Sequence, residues 1–206
     1  MSTDAPLRLL LADDQSLVRA GLAALLDLEP DMEVVAQTDS GADVVALVGE
    51  HTVDVALLDV EMPGVNGIEA AAALRGAGSD CRVLIVTTFG RPGYLSRALE
   101  AGADGFVVKD VPAEQLADAV RRVARGERVV DPSLAAETLS LGGSPLTERE
   151  RDVLRAALEG AQVRQIAAEL HLSPGTVRNH LSSAIGKTHT STRAEAAAVA
   201  RDRGWL

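Results

Sequence analysis

Aromatic side chains are almost missing from this chain of 206 residues: one Trp, one Tyr and two Phe, 2% of the whole. Any core must therefore be assembled from Ala, Val and Leu, and a hydrophobic content of 47% is enough for one. Cysteine occurs once, at Cys81, which excludes an internal disulfide and fits a reducing cytoplasm. Cys81 itself reads as a small buried residue entering a strand. No apolar run approaches the roughly 18 residues of a membrane span, so no membrane partner is expected. The opening Met1–Pro6 lacks a basic segment leading into an apolar one, and no secretory signal is read there. Internal repeats and low-complexity tracts are absent as well.

Charge of one sign is scarce in one half only. Residues 1–142 carry 11 Lys and Arg against 23 Asp and Glu, a balance of −12. Residues 143–206 carry 9 against 7, a balance of +2, with His171, His180 and His189 in addition. The halves have different electrostatic work, although +2 alone is a poor argument for nucleic acid.

The first half alternates apolar runs with helical patterns. Runs at 7–12, 33–37, 54–58, 82–87 and 105–108 read as strands, and 14–28, 40–50, 67–76, 92–102 and 112–126 show apolar residues at helical spacing. Five βα units in series predict a flavodoxin-like, doubly wound (βα)5 parallel sheet with right-handed crossovers, over 1–126. Residues 127–145 carry Pro132, Gly142, Gly143 and Pro145 and read as a linker in which 132–141 forms a short helix. From 146 to 206 no strand pattern appears. Segments 147–159, 163–171, 174–186 and 192–203 predict a small all-α domain of four helices. Thr147 with Glu150 forms a capping box signature, and Ser173-Pro174 marks another helix start.

Three aspartates carry the chemistry of the first half. Asp13 and Asp14 close the run Leu9–Ala12, and Asp59 closes Val55–Leu58. Open α/β sheets bind ligands outside the carboxyl ends of their strands. Three carboxylates gathered there repel one another, a situation tolerable mainly around a divalent cation. Asp59 is followed by Met62-Pro63-Gly64 and Gly67, a loop expected to leave its carboxylate exposed as a nucleophile toward a phosphoryl donor. Asp14 would hold the metal directly, Asp13 directly or through water, and the Glu61 carbonyl is a further candidate ligand. Thr87 and Lys109 end two more strands, one offering a hydroxyl and the other a point cation for added negative charge. A phosphohydrolase of the haloacid-dehalogenase type uses a similar set. There the nucleophile follows the first strand with a second acid two residues on, whereas here the early acids are adjacent and the candidate nucleophile follows strand three.

On these residues, 7–126 resembles a response-regulator receiver. The resemblance implies that Asp59 is the phosphorylation site, Mg²⁺ the cofactor and a sensor histidine kinase the phosphodonor. Phe106 falls at the family's switch aromatic, which would turn inward as Thr87 moves toward the phosphoryl group; a plain core Phe is the alternative.

In the second half, 163–186 reads as a helix-turn-helix, with Ile166, Leu170, Leu172, Val177, Leu181 and Ile185 at core spacing and Ala167 at the crossing. Arg178, Asn179 and Ser182 are left on the outer face of the second helix, and Arg and Asn suit base edges in a major groove. Thr176 and Lys187 are better placed for phosphates. A helical dimerisation module with a solvated polar face is the bland reading of the same pattern. Residues 146–206 resemble the LuxR-type DNA-binding domain through Leu146–Glu150, Ile166-Ala167, Leu172-Ser173, Thr176–His180 and Lys187. They depart from it at Thr188, where an apolar residue is usual, and at Ser182, where a basic one is common.

Together the two resemblances name the NarL/FixJ family of two-component response regulators. The loop Thr87–Tyr94 looks most like the branch containing a lipid-desaturation regulator. What the family implies is a non-enzymatic transcription regulator, modified only stoichiometrically. Phosphorylation would favour a homodimer that grips double-stranded DNA at half-sites one helical turn, roughly 34 Å, apart. By the same resemblance the dimer surface uses the first and fifth helices, with Leu17, Leu22, Ala119 and Val123 as apolar contacts. Trp205 is expected to seal the last helix, His51 to be a solvated helix end, and His180 to pack or touch phosphate rather than bind metal.

Overall fold

The computed structural model describes residues 5–88, 92–131, 134–135, 144–158 and 160–206. The chain divides into two compact units, one built on a sheet and the other on helices.

The first unit begins with β1 (Leu7–Ala12), α1 (Ser16–Leu26), β2 (Met32–Thr38), a 3-10 turn (Gly41–Asp43) and α2 (Val44–His51). It continues with β3 (Val55–Leu58), α3 (Gly67–Gly76), β4 (Arg82–Thr87), α4 (Pro92–Glu100), β5 (Gly105–Val108), α5 (Ala113–Ala124) and β6 (Val129–Val130). The sheet order is β2-β1-β3-β4-β5-β6, and every pairing is parallel. This is the flavodoxin-like order with one short strand added at the edge. Val129–Val130 lies where only a linker was expected; two residues carry no readable period, and pairing with Gly105-Phe106 draws them into the sheet. Of the helix expected at 132–141, only 134–135 is described, and both residues are helical.

All four residues of β3 are buried, as the sequence Val-Ala-Leu-Leu requires of a strand covered on both faces. On one face Leu9, Leu11, Val55, Leu57, Leu84 and Val86 pack with Ala23 and Leu26 of α1 and Leu116, Val120 and Val123 of α5. The alternate residues Leu10, Ala56, Leu58, Val83, Ile85 and Phe106 are fully buried on the other face, where α2 and α3 lie against the strands and each other. With so few aromatics, the core is nearly all aliphatic. Cys81 is buried and free, as expected, and burial pushes its thiol up to about 11.

The second unit holds α6 (Glu148–Leu158), α7 (Val163–Glu169), α8 (Pro174–Thr188) and α9 (Arg193–Asp202). Its core joins Leu146, Val153, Leu154, Ile166, Ala167, Val177, Leu181, Ala184, Ala196 and Ala200 with Trp205 and Leu206. Trp205 thus closes the last helix as expected, with the Arg203 guanidinium 5.0 Å from its ring centre. Between α7 and α8 the chain turns through His171 at φ +54°. Leu172 N–H donates to Ala167 O at 2.8 Å and His171 N–H to Ala168 O at 3.4 Å, so the turn is a Schellman motif with histidine at the position glycine usually takes. No helix among the described residues is long and apolar enough to cross a membrane.

Candidate functional site

Parallel register brings the carboxyl ends of the central strands level: Ala12 pairs with Leu58, Leu58 with Ile85, and Thr87 with Val108. The residues just beyond must therefore converge. Backbone bonds fix them there: Asp59 N–H donates to Ala12 O at 2.8 Å, Lys109 N–H to Thr87 O at 2.7 Å, and Asp13 N–H to Thr38 O at 3.1 Å. Carboxylate oxygens of Asp13, Asp14 and Asp59 all lie within 4.8 Å of one another. Lys109 Nζ stands 2.7 Å from Asp13 Oδ2 and 3.2 Å from Asp59 Oδ2.

The pocket is closed more tightly than its sequence suggested. Asp59 is 3% exposed, not open to solvent, because the loop after it folds back: Met62 is buried and α3 begins hard against the Asp59 carbonyl. Asp13 and Thr87 are buried too, while Asp14 is exposed and marks the mouth. Burial pushes the Asp59 carboxyl above its ordinary 3.8; the Lys109 ammonium pulls it down, neighbouring Asp13 adds to the rise, and the Glu61 N–H lowers it. At an effective dielectric of about 20, two carboxylates this close repel by roughly 3–4 kcal/mol, and one ammonium cannot offset three. Asp13 Oδ1 accepts from Gln15 N–H at 2.9 Å. Its Oδ2, though near Lys109 Nζ, is not aligned for a hydrogen bond with it, and neither atom completes one with any other described residue. Three carboxylates gathered here with a single ammonium, one buried oxygen of Asp13 having no partner but that ammonium, fit a hard divalent cation. Phe106 is fully buried next to this edge. Sequence reasoning missed Arg19, whose Nη1 donates to the Asp13 carbonyl from α1.

In the helical unit Ser173 caps α8, its Oγ accepting from Thr176 N–H at 3.0 Å and lying 2.8 Å from Thr176 Oγ1. Arg178, Asn179 and Ser182 are exposed on α8, as expected of its outer face, and Thr176 and His180 are half-buried. Lys187 differs. Its Nζ donates to both oxygens of buried Glu150, at 2.7 and 3.0 Å, and Ser183 Oγ donates to Glu150 at 2.7 Å. Lys187 therefore ties α6 to α8 through Glu150, with about a third of its side chain still in water. Thr188, at an apolar position of the family, is buried with its hydroxyl donating to Ala184 O at 2.9 Å.

The expected dimer contacts divide. Leu17 is 85% exposed, but Leu22 is half-buried against the core, and Ala119 and Val123 are buried within it. Leu116, Ala117, Ala119, Val120 and Val123 form the single core stripe of α5, which leaves neither Ala119 nor Val123 to face a partner. The large hydrophobic side chains exposed in this region are Leu17, Leu25 and Leu28, the latter two at 44% and 78%.

An acidic carboxyl edge on a doubly wound sheet, followed by a helix-turn-helix unit, defines a two-component response regulator with a LuxR-type DNA-binding domain. Comparison bears this out: the response regulator receiver domain matches residues 9–121, and the luxR family of bacterial regulatory proteins matches 144–200. The chain belongs to the NarL/FixJ family of response regulators. It is 42% identical over 196 residues to the transcriptional regulatory protein DesR of Bacillus subtilis, covering 95% of this chain and 97% of that one. To the regulator NarL of Mycobacterium tuberculosis it is 38% identical over 200 residues, covering 94% and 93%. Among solved structures, the response regulator ChrA of a haem-sensing two-component system superposes with a TM-score of 0.60 at 34% identity, over 98% of this chain and 100% of that one. Of the loop that suggested the lipid-desaturation branch, 89–91 lies outside the described residues.

Proposed function

We propose that this regulator is switched in the cytoplasm by phosphoryl transfer from a sensor histidine kinase to Asp59, and that the modified form pairs and binds a two-fold DNA site. An Asp59 carboxylate oxygen attacks phosphorus as the phosphorus–nitrogen bond of a phosphohistidine breaks. The electron pair leaves with the imidazole, which takes a proton from water. Asp13, Asp14, Asp59 and the Glu61 carbonyl would hold Mg²⁺, which supplies neutralisation of charge on the transferring group. Lys109 is already among the carboxylates and can pair with the new oxygens, releasing Asp13. The added charge, about −1.5 to −2 at neutral pH, attracts the Thr87 hydroxyl, and Phe106 follows in the space Thr87 vacates. Pairing through the exposed stripe Leu17, Leu25 and Leu28 on and after α1 would bring two helix-turn-helix units together and raise affinity by effective concentration. Arg178 and Asn179 would read base edges, with Thr176 on a phosphate and Ser182 at the groove wall. We assign the receiver to 1–126 extended through Val130, and the DNA-binding domain to 146–206.

The observation that carries this reading is the trio of carboxylates within 4.8 Å, two of which, Asp13 and Asp59, share the single ammonium of Lys109. Labelling with acetyl phosphate and Mg²⁺ tests it. One acid-stable, hydroxylamine-labile phosphoryl group per chain is expected, absent from Asp59→Asn. Undiminished labelling of that variant, or continuous turnover of a phosphomonoester, would overturn it.

A further inference from the structure

The backbone carbonyl of Asp59 lies against the residue that begins the next helix. Gly67 opens α3 and passes so close to β3 that a Cβ there would lie 2.1 Å from the Asp59 carbonyl oxygen, 2.9 Å from its carbon and 3.2 Å from Leu58 Cβ. The constraint is space, not backbone conformation, because the φ of Gly67 is not positive. The loop between the two is held at its far side as well. Gly41 N–H donates to Val65 O at 3.2 Å, and a Cβ on Gly41 would come within 2.3 Å of that oxygen. A reciprocal cap fixes the junction: Asn66 Oδ1 accepts from the amides of Ile68 and Glu69, and Glu69 Oε2 accepts from Asn66 N–H at 2.9 Å. The short loop leaving Asp59 is therefore seated against other backbone at both ends. Along it, the Glu61 amide reaches the Asp59 carboxylate itself.

We propose that Gly67, supported by Gly41, is a positioning residue for phosphoryl transfer: it lets α3 press on the Asp59 carbonyl and so fixes where the attacking carboxylate stands relative to Lys109 and Asp13. This rests on the assignment of Asp59 as acceptor. A methyl at 67 meets the backbone of Asp59, just past the end of central strand β3, not a flexible side-chain end, and must open a 2.1 Å contact to at least 3.0 Å. The resulting shift of roughly 1 Å is of the size that lowers rates about 100-fold when a reacting group is displaced.

The test is the labelling rate of the full-length protein with acetyl phosphate at saturating Mg²⁺, for Gly67→Ala, Gly41→Ala and the control Gly64→Ala. Gly64 lies in the same loop with φ +77° and open space around it, so its substitution strains the backbone without pushing on Asp59. Gly67→Ala is expected to lower the maximal rate about 30- to 100-fold, with the acetyl phosphate concentration for half-maximal rate little changed. Gly41→Ala should lower it several-fold, and Gly64→Ala should lose stability while labelling at the parental rate. A parental maximal rate in folded Gly67→Ala, or an equal loss in Gly64→Ala, overturns the proposal. Should Gly67→Ala not fold, a parental rate in Gly41→Ala overturns it. Failure of the acceptor assignment is seen separately, as Asp59→Asn labelling like the parent.

Discussion

Two clusters of buried charge, one in each unit, are built to opposite specifications. Around Glu150 the count closes: one carboxylate, one ammonium, one hydroxyl and the Thr147 N–H at 2.7 Å, all within hydrogen-bond reach. Burial by itself would raise the Glu150 carboxyl, but Lys187, Ser183 and the Thr147 amide overcome that and hold it at about 2. Around Asp59 the count does not close. Three carboxylates face one ammonium that reaches two of them, and burial outweighs it so that the Asp59 carboxyl rises. Both clusters are chemically acidic, yet only the second is left wanting a cation and capable of receiving a phosphoryl group. A satisfied buried network specifies a fold; an unsatisfied one spends stability for function.

The sharpest way to break this contrast is to remove one charge from each cluster. Asp59→Asn should melt higher than the parent without metal. The sign follows from the raised carboxyl: its penalty is absent below the unfolded value of 3.8 and sets in as pH rises through the folded one, so at pH 7 the neutral amide escapes it. The parent should gain about 2.7 kcal/mol when Mg²⁺ reaches 100 times its dissociation constant, and the variant far less. Calorimetry with and without Mg²⁺ checks both, and a lower metal-free midpoint for the variant would put the two clusters in one class.

Glu150→Gln should do the reverse, costing about 3 kcal/mol. The cost is at the low end for a broken buried pair because a third of the Lys187 side chain is in water. A lowered carboxyl contributes stability above its unfolded value of 4.5, lost as pH falls toward about 2. Acid titration of the helical unit's melting should therefore show the parent and the variant converging below pH 4.5.

The parts that sequence made legible were those with local punctuation. Asp13, Asp59, Thr87 and Lys109 end short apolar runs, and β1, β4, β5 and α3 have the expected bounds. What stayed hidden required knowing which distant residue lies opposite. Glu150 reads as half of a capping box and does make that cap, but nothing within a turn of it announces Lys187, 37 positions away. Ala119 and Val123 are a different failure: with Leu116 and Val120 they complete an i, i+3, i+4, i+7 stripe that already belonged to the core. The burial of Asp59 depends on how closely a glycine lets α3 approach, which composition alone does not reveal.

The smallest expected effect separates two cations on one helix. Arg178 is exposed on α8, whereas Lys187 is committed to Glu150. If Arg178 contacts a base edge, Arg178→Ala should weaken operator binding by about 1–3 kcal/mol and leave the melting midpoint in place. Lys187→Met removes the same formal charge from the same helix, but it should lower the midpoint by stranding the Glu150 carboxylate. Once corrected for the folded fraction, its operator affinity should be near parental, and the salt dependence of binding should keep its slope because no phosphate contact was lost. Melting curves and operator titrations at two salt concentrations distinguish these cases. A reduced salt slope with an unchanged midpoint for Lys187→Met would place that ammonium on the DNA and dissolve the distinction between a closed cluster and an open one.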